Sequence, residues 1–255
     1  MAAGAHTRTP PRDLTRLLPS GRSLAVAFGI LCAAAGAYLV ARQTSLFSIN
    51  AIDVRGAPPG VAKRVRAALE PFVGTSLVSL DGSAVVRDAG ALPVVVTASY
   101  DRDFPHTLRV FVTPEDPALV ARRGSESWLV SARGRVMTRI SRRAYPRLAR
   151  LWVAKDTTLM PGAFLEGDAA RAMKAILPIR NTPFAHQIVT VRPLPDDLTI
   201  VLRSNLKLRL GAADQLPLKL AVAQALVAKL GHAAGYADLS VPGRPVVALK
   251  SQPGG

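Results

Sequence analysis

Cysteine is nearly absent from this sequence: Cys32 is the one thiol in 255 residues. A disulfide framework is excluded, and the fold must rest on packing. Histidine is scarce too, with His6, His106, His186 and His232 scattered along the chain. There is no H-E-x-x-H, no G-x-S-x-G and no visible pairing of a nucleophile with a base. The nearest approach to a ligand set, Asp101, Asp103 and His106, reads as a solvated loop, because turns favour Asp and metal sites need several convergent ligands. The expectation is a protein that is not an enzyme and that needs no cofactor and no metal. Acidic residues are also few, 17 against 33 Lys and Arg, for a formal charge of +16. In a soluble cytoplasmic protein that balance would make nucleic acid the first suspect.

Long apolar runs are missing as well, with one exception. Leu24 to Ala41, "LAVAFGILCAAAGAYLVA", carries no charge over 18 residues. At about 1.5 Å per residue it spans roughly 27 Å, close to the ~30 Å of a bilayer's hydrocarbon. A cleaved signal peptide is the competing reading, since Ala33 to Ala35 and Ala35 to Ala37 resemble small-residue cleavage sites. Against it stand the long preceding region and the apolar character that continues through Tyr38, Leu39 and Val40. Bulky Leu31 ahead of Cys32 disfavours a lipoprotein signal. Gly29, Ala33 and Gly36 would let another spanning helix approach, a pattern that Ala-rich composition produces equally by chance.

Arg8, Arg12, Arg16 and Arg22 precede the run, whereas only Arg42 and Arg55 follow it closely. The positive-inside rule then keeps the N-terminus in the cytoplasm and puts the bulk of the chain outside. All but four of the basic residues lie on that outer side, away from cytoplasmic nucleic acid. From Arg122 to Lys155 there are ten basic residues opposed only by Glu126. They read either as a solvated strand face or as a contact for lipid head groups, acidic wall polymer or an acidic protein, with Arg122, Arg123, Arg133, Arg135, Arg139, Arg142 and Arg143 as the candidates.

After the run, "FSINAIDVRGA" suits a strand with an irregularity near Ala51. Val61, Val65, Ala68, Leu69 and Phe72 recur at helical intervals up to Pro71 and Gly74. A second short helix, capped by Asp81 or Ser83 and stopped by Gly90, precedes two strands, "PVVVTASYDRDFP" and "TLRVFVTPEDP". This order predicts two helices on a three-stranded sheet, a small α+β layer. Beyond Pro117 strands prevail. "SWLVSARGRVM" folds about Arg133 and Gly134, and "TIVLRSNLKLRLG" turns at Ser204-Asn205 with Ile200, Leu202, Leu206, Leu208 and Leu210 inward. Helices carry Leu165, Ala169, Ala172, Met173 and Ile176, then Leu216, Leu220, Ala223, Val227 and Leu230, the latter with Asp214 as N-cap and Gly231 as stop. The final stretch, "YADLSVPGRPVVALK", reads as an edge strand or an interrupted one, because Pro242, Gly243 and Pro245 intrude before Val246 and Val247 restart the pattern. No repeat of fixed period is apparent.

The basic tail, single span, strand-helix-helix-strand-strand module and closing β-rich part resemble the FtsQ/DivIB family of bacterial division proteins. The resemblance is carried by "FSINAIDVRG", by "RDFPHTLRVFVTPEDP" with Arg102, Pro105, Leu108, Val110, Val112, Glu115 and Pro117, and by "WLVSARGRV" with Gly134. "YPRL", "LRLG" before a helix containing Lys219, and "ADLSVPGRPV" continue it to the end. The chain departs from the family pattern at Asp116, where Arg is frequent, and at Ser131, where Asp is frequent.

The resemblance implies a cytoplasmic tail over 1–23, a transmembrane helix over 24–41, a POTRA domain over 47–115, a β domain over 117–249 and a disordered tail over 250–255. It implies a type II, single-pass plasma-membrane protein at the division septum, a non-catalytic scaffold linking early and late division proteins. The expected partners are FtsB or DivIC with FtsL, and further FtsK, FtsW and FtsI. In such a protein the last strands hold the partner. Here that is the segment from Asp238 to Leu249, with Ser240 and Val241 before the break, Pro242 and Arg244 within it, and Val246, Val247 and Leu249 after it. The alternatives are an exported envelope enzyme or a binder of anionic polymer.

Overall fold

The computed structural model describes residues 21–43, 45–231 and 233–249. Residues 1–20 of the expected basic tail, His6, His232 and the expected tail over 250–255 lie outside them. By backbone contacts the chain divides into two compact units. The first takes the N-terminal helix with the stretch to Ile52, Phe72–Leu80 and Arg102–Leu108; the second takes Asp53–Pro71, Asp81–Asp101 and the chain from Arg109.

In the first unit, α1 covers Gly21–Gln43. Its Gly21–Val40 segment is long and apolar enough to cross a membrane, and its side chains are exposed throughout. Ser45–Phe47 forms one 3₁₀ turn. Phe47 meets Phe104 edge to face at 5.6 Å, an arrangement that suits the ring quadrupoles. Ile49 donates to Thr75 O at 2.9 Å, and Leu77 donates to Phe47 O at 2.8 Å. Both side chains are fully buried.

β1 (Ala51–Arg55), β2 (Val95–Asp103) and β3 (Thr107–Pro114) form a three-stranded sheet in the order β1-β3-β2. Between β1 and β2 come α2 (Pro59–Leu69) and α3 (Gly82–Gly90), so the order strand, helix, helix, strand, strand is present. Ala62, Val65 and Leu69 lie three and four residues apart and are the buried face of α2. Asp81 caps α3, its carboxylate accepting from Ser83 N at 2.9 Å and Ala84 N at 3.3 Å. The Ser83 hydroxyl and these amides hold the Asp81 carboxyl below its usual range.

The remaining strands are β4 (Pro117–Arg123), β5 (Glu126–Ser131), β6 (Val136–Arg139), β7 (Arg150–Trp152), β8 (Ile188–Leu194), β9 (Asp197–Leu202), β10 (Leu206–Arg209), β11 (Gly235–Asp238) and β12 (Val246–Leu249). They make one sheet in the order β12-β11-β10-β9-β8-β7-β4-β5-β6. Three pairs are parallel: β4 with β7, β7 with β8, and β10 with β11. Parallel neighbours need a long crossover, and two of these are helical. α4 (Gly167–Ile176) joins β7 to β8, and α5 (Leu216–Leu230) joins β10 to β11. The core gathers Ala172, Met173, Ala223 and Val227 from these helices with Leu151, Val191, Ile200 and Leu208 from the strands.

The expected mixed α+β class, with one N-terminal apolar helix and an extended sheet, is what the chain adopts. Two local expectations are corrected. Asp214 does not cap α5: the N-cap residue is Gln215, in the left-handed region at φ 49°, and no side chain bonds the first amides. The Asp214 carboxylate instead holds the ammonium of Lys219. The closing stretch is not one interrupted strand but a hairpin. β11 and β12 run antiparallel, pairing Asp238 with Val246 and Gly235 with Leu249, and the prolines sit in the connection.

Candidate functional site

The two edges of the large sheet differ. β6 is overlaid at its start by a second run of backbone, since Val136 N donates to Ala163 O at 2.7 Å and Gly162 N to Val136 O at 2.8 Å. Among the described residues β12 has a neighbour only in β11. Its four residues are exposed, Val246 at 64% and Leu249 at 48%. Antiparallel pairing uses the N–H and C=O of alternate residues, so two of the four turn those groups outward. No proline or charge lies within β12 to blunt the edge.

The segment leading to β12 is held from behind. Leu239 is fully buried and donates to Arg209 O at 2.7 Å. Asp238 accepts from Ser240 N at 2.9 Å and from Tyr236 Oη at 3.2 Å, and it pairs with Arg209 at 3.3 Å. Those bonds, the Ser240 ones foremost, keep its carboxyl below the usual range. Arg209 also reaches Asp197 at 3.3 Å, so one guanidinium ties β9, β10 and β11 together. Arg244 N closes a turn onto Val241 O at 3.0 Å, with Pro242 second in the turn. Of the eight partner-binding residues read from the sequence, Asp238 and Ser240 are therefore engaged within the protein and Pro242 and Arg244 shape or flank the turn. Val241, Val246, Val247 and Leu249 are each exposed apolar residues in or before the edge strand.

The seven arginines read as an anionic contact are likewise separated. Arg123 donates to Glu126 at 2.8 Å and to Thr157 O at 2.8 Å, and Arg139 reaches Glu126 at 3.5 Å. The hydrogen bond from Arg123 holds the Glu126 carboxyl down. Arg135 donates to Val95 O at 3.0 Å, and Arg133 lies 3.8 Å from the buried Glu115. That leaves Arg122, Arg142 and Arg143. Arg150 lies in the basic run but not among the seven candidates, and Arg192 and Arg203 lie outside the run; the folded chain adds all three to this group. Strand register is what assembles them, with Arg122 opposite Trp152 and both Arg122 and Arg192 over the Trp152 ring, at 5.3 and 5.8 Å from its centre.

At the departures from the family pattern, Asp116 pairs with Arg180 at 2.8 Å. Ser131 shapes the β5–β6 turn, its hydroxyl accepting from Arg133 N and Arg135 N at 3.3 Å each, with Gly134 at φ 84°. Among the described residues no three of His, Cys, Asp and Glu gather as a metal site, and His106 is engaged with Ser48 O at 3.1 Å.

The described residues thus combine an N-terminal helix long and apolar enough to cross a membrane, a three-stranded sheet and a nine-stranded mixed sheet. No family model matches the chain. Among curated proteins it is similar to the cell division protein FtsQ of Streptomyces venezuelae, 26% identical over 246 residues, covering 94% of this chain and 88% of the relative. That similarity runs through nearly the whole chain and supports the FtsQ/DivIB resemblance found in its motifs.

Proposed function

We propose that this chain works in bacterial cell division as a non-catalytic, FtsQ-type scaffold. Its open β12 edge receives a strand from a partner, with FtsB or DivIC accompanied by FtsL as the partner in view. The observation that carries this reading is the exposed, unblunted edge strand at the end of a chain similar to a division protein. Added strands bind through main-chain hydrogen bonds, while alternate side chains supply selectivity. Val246, Val247 and Leu249 would then be covered on binding, which removes an aggregation hazard that a lone edge strand would carry.

In this reading α1 anchors the chain as a single-pass, type II protein of the plasma membrane at the septum, with the N-terminus in the cytoplasm. The 47–115 stretch is a POTRA module and 117–249 the β domain. Depletion should arrest septation and leave growing filaments. Rescue by the natural chain, but not by a chain with both Val246→Glu and Leu249→Glu, is expected. Full rescue by that variant would refute capture at β12, and normal septation on depletion would refute the division role.

A further inference from the structure

The face of the large sheet that carries Arg122, Trp152 and Arg192 has a charge problem that the protein does not solve internally. Arg122 is 8% exposed, and its Nε and Nη2 atoms are buried without a hydrogen-bond partner. No carboxylate pairs with it among the described residues. Burial first and then the like charge of Arg142 lower its pKa, and burial and Arg122 do the same to Arg150. Buried guanidinium donors are costly unless they are paired.

The surroundings are built rather than loose. Arg150 is locked in place by donating to Ala144 O, Tyr145 O and Leu148 O at 2.9, 2.8 and 2.7 Å. Those bonds fold the 142–148 loop back beside β7, so that Arg142 and Arg143 come to a cavity of about 410 Å³ that Arg150 and Arg203 also line. Arg203 is oriented by its own bond to His186 O at 2.9 Å. No acidic side chain lines this cavity. The Arg122 guanidinium carbon lies 5.3 Å from the centre of the Trp152 ring, a cation–π contact that holds it on this face.

We propose that this cup, lined by Arg142, Arg143, Arg150 and Arg203, binds a phosphoryl oxyanion. A single carboxylate would offset one charge among several. A phosphoryl group offers more negative charge and three strong acceptor oxygens, which matches fixed donors converging from several directions. The group arrives as free phosphate or esterified on a glycerol phosphate head group. This inference is independent of strand capture, since it concerns β4, β7 and β8 and not β12.

The test uses the full chain in neutral detergent. Of its two tryptophans, Trp128 is replaced by Phe, so that Trp152 alone reports. Pyrophosphate and glycerol phosphate are titrated in separate arms at constant ionic strength, with sodium chloride as the reference. A saturable fluorescence change is expected with pyrophosphate, and its extension to glycerol phosphate would identify the esterified source. Arg122→Gln, which takes away a positive charge beside Arg142 and Arg150, should weaken it about threefold or more. Arg142→Gln, at an exposed position where folding is not at risk, should weaken it in the same direction. Arg139→Gln should change nothing, because Arg139 belongs to Glu126. A response matched by chloride, or unchanged in both the Arg122 and Arg142 variants, would overturn the proposal. Tighter binding of a hexaglutamate peptide than of pyrophosphate would overturn it in favour of an acidic peptide.

Discussion

Lys219 Nζ lies 2.8 Å from Asp214 Oδ1 and 3.0 Å from Ala212 O, at the start of α5. The lysine side chain is 1% exposed and the carboxylate 65%, so a buried cation is neutralised from the surface. Removing the partner of a buried charge leaves that charge uncompensated. Asp214→Ala should therefore lower the thermal midpoint clearly, whereas Lys219→Met, which removes charge and need together, should cost less. Equal losses in the two variants would show that the pair contributes through packing alone. Thermal melts of the purified chain decide it.

Acid sensitivity follows from the carboxylates. Asp81, Glu126, Asp214 and Asp238 are all held below their ordinary range, by Ser83, Arg123, Lys219 and Ser240 respectively as the largest cause. A folded pKa below the unfolded one gives stability that is complete above the unfolded value, about 4 for Asp and Glu. It is lost as the pH falls through the folded values. Stability to urea should thus be level from neutral pH to about pH 5 and should drop below about pH 4. Asp214→Asn should flatten part of that drop.

Gly235 gives a way to disturb β12 by itself. At φ 153° it faces β12 so closely that a Cβ would overlap Ala248 O and lie 2.9 Å from Leu249 Cα. Gly235→Ala should loosen β12 from β11 while leaving the core, which β12 hardly enters, intact. The expected outcome is lost partner capture with a midpoint shift of no more than a few degrees. Faster amide exchange confined to the β11–β12 hairpin would accompany it.

Leu151 is the central residue of β7 and fully buried among core residues of the large sheet. Leu151→Ala should cost about 2–5 kcal/mol in denaturant unfolding, the range for a cavity in a packed core. A smaller loss would mean that β7 tolerates collapse around it.

The segments that read correctly from sequence are those whose burial alternates. β3 buries Leu108, Val110 and Val112 on one side, and the β9–β10 hairpin turns at Ser204-Asn205 as its pattern implies. Asn205 takes φ 64° there, a conformation Asn tolerates. β4 was not legible because it is buried on both sides: Leu119, Val120, Ala121 and Arg122 are consecutive buried residues and erase the two-residue period. β7 is three residues long, too short for any period to register. The open edge was legible in kind but not in form, since prolines in a hairpin connection and prolines inside a strand look alike in one dimension. The basic face was legible as charge only. Which arginines are spent internally depends on Glu126, Glu115 and Val95, and Arg192 joins them through strand register rather than sequence proximity.

Scarcity of cysteine allows the central claim to be read directly. With Cys32 replaced by Ser, the chain has no thiol, and single cysteines can be placed at 246, 247, 248 and 249 in turn. Each is paired with single cysteines along the partner's external segment, and disulfide formation is measured under mild oxidation. Capture of a strand at β12 predicts cross-links that advance in step along both chains, strongest at every second position as side chains alternate between faces. A complex that forms normally and yields no such ladder at 246–249 would contradict the account.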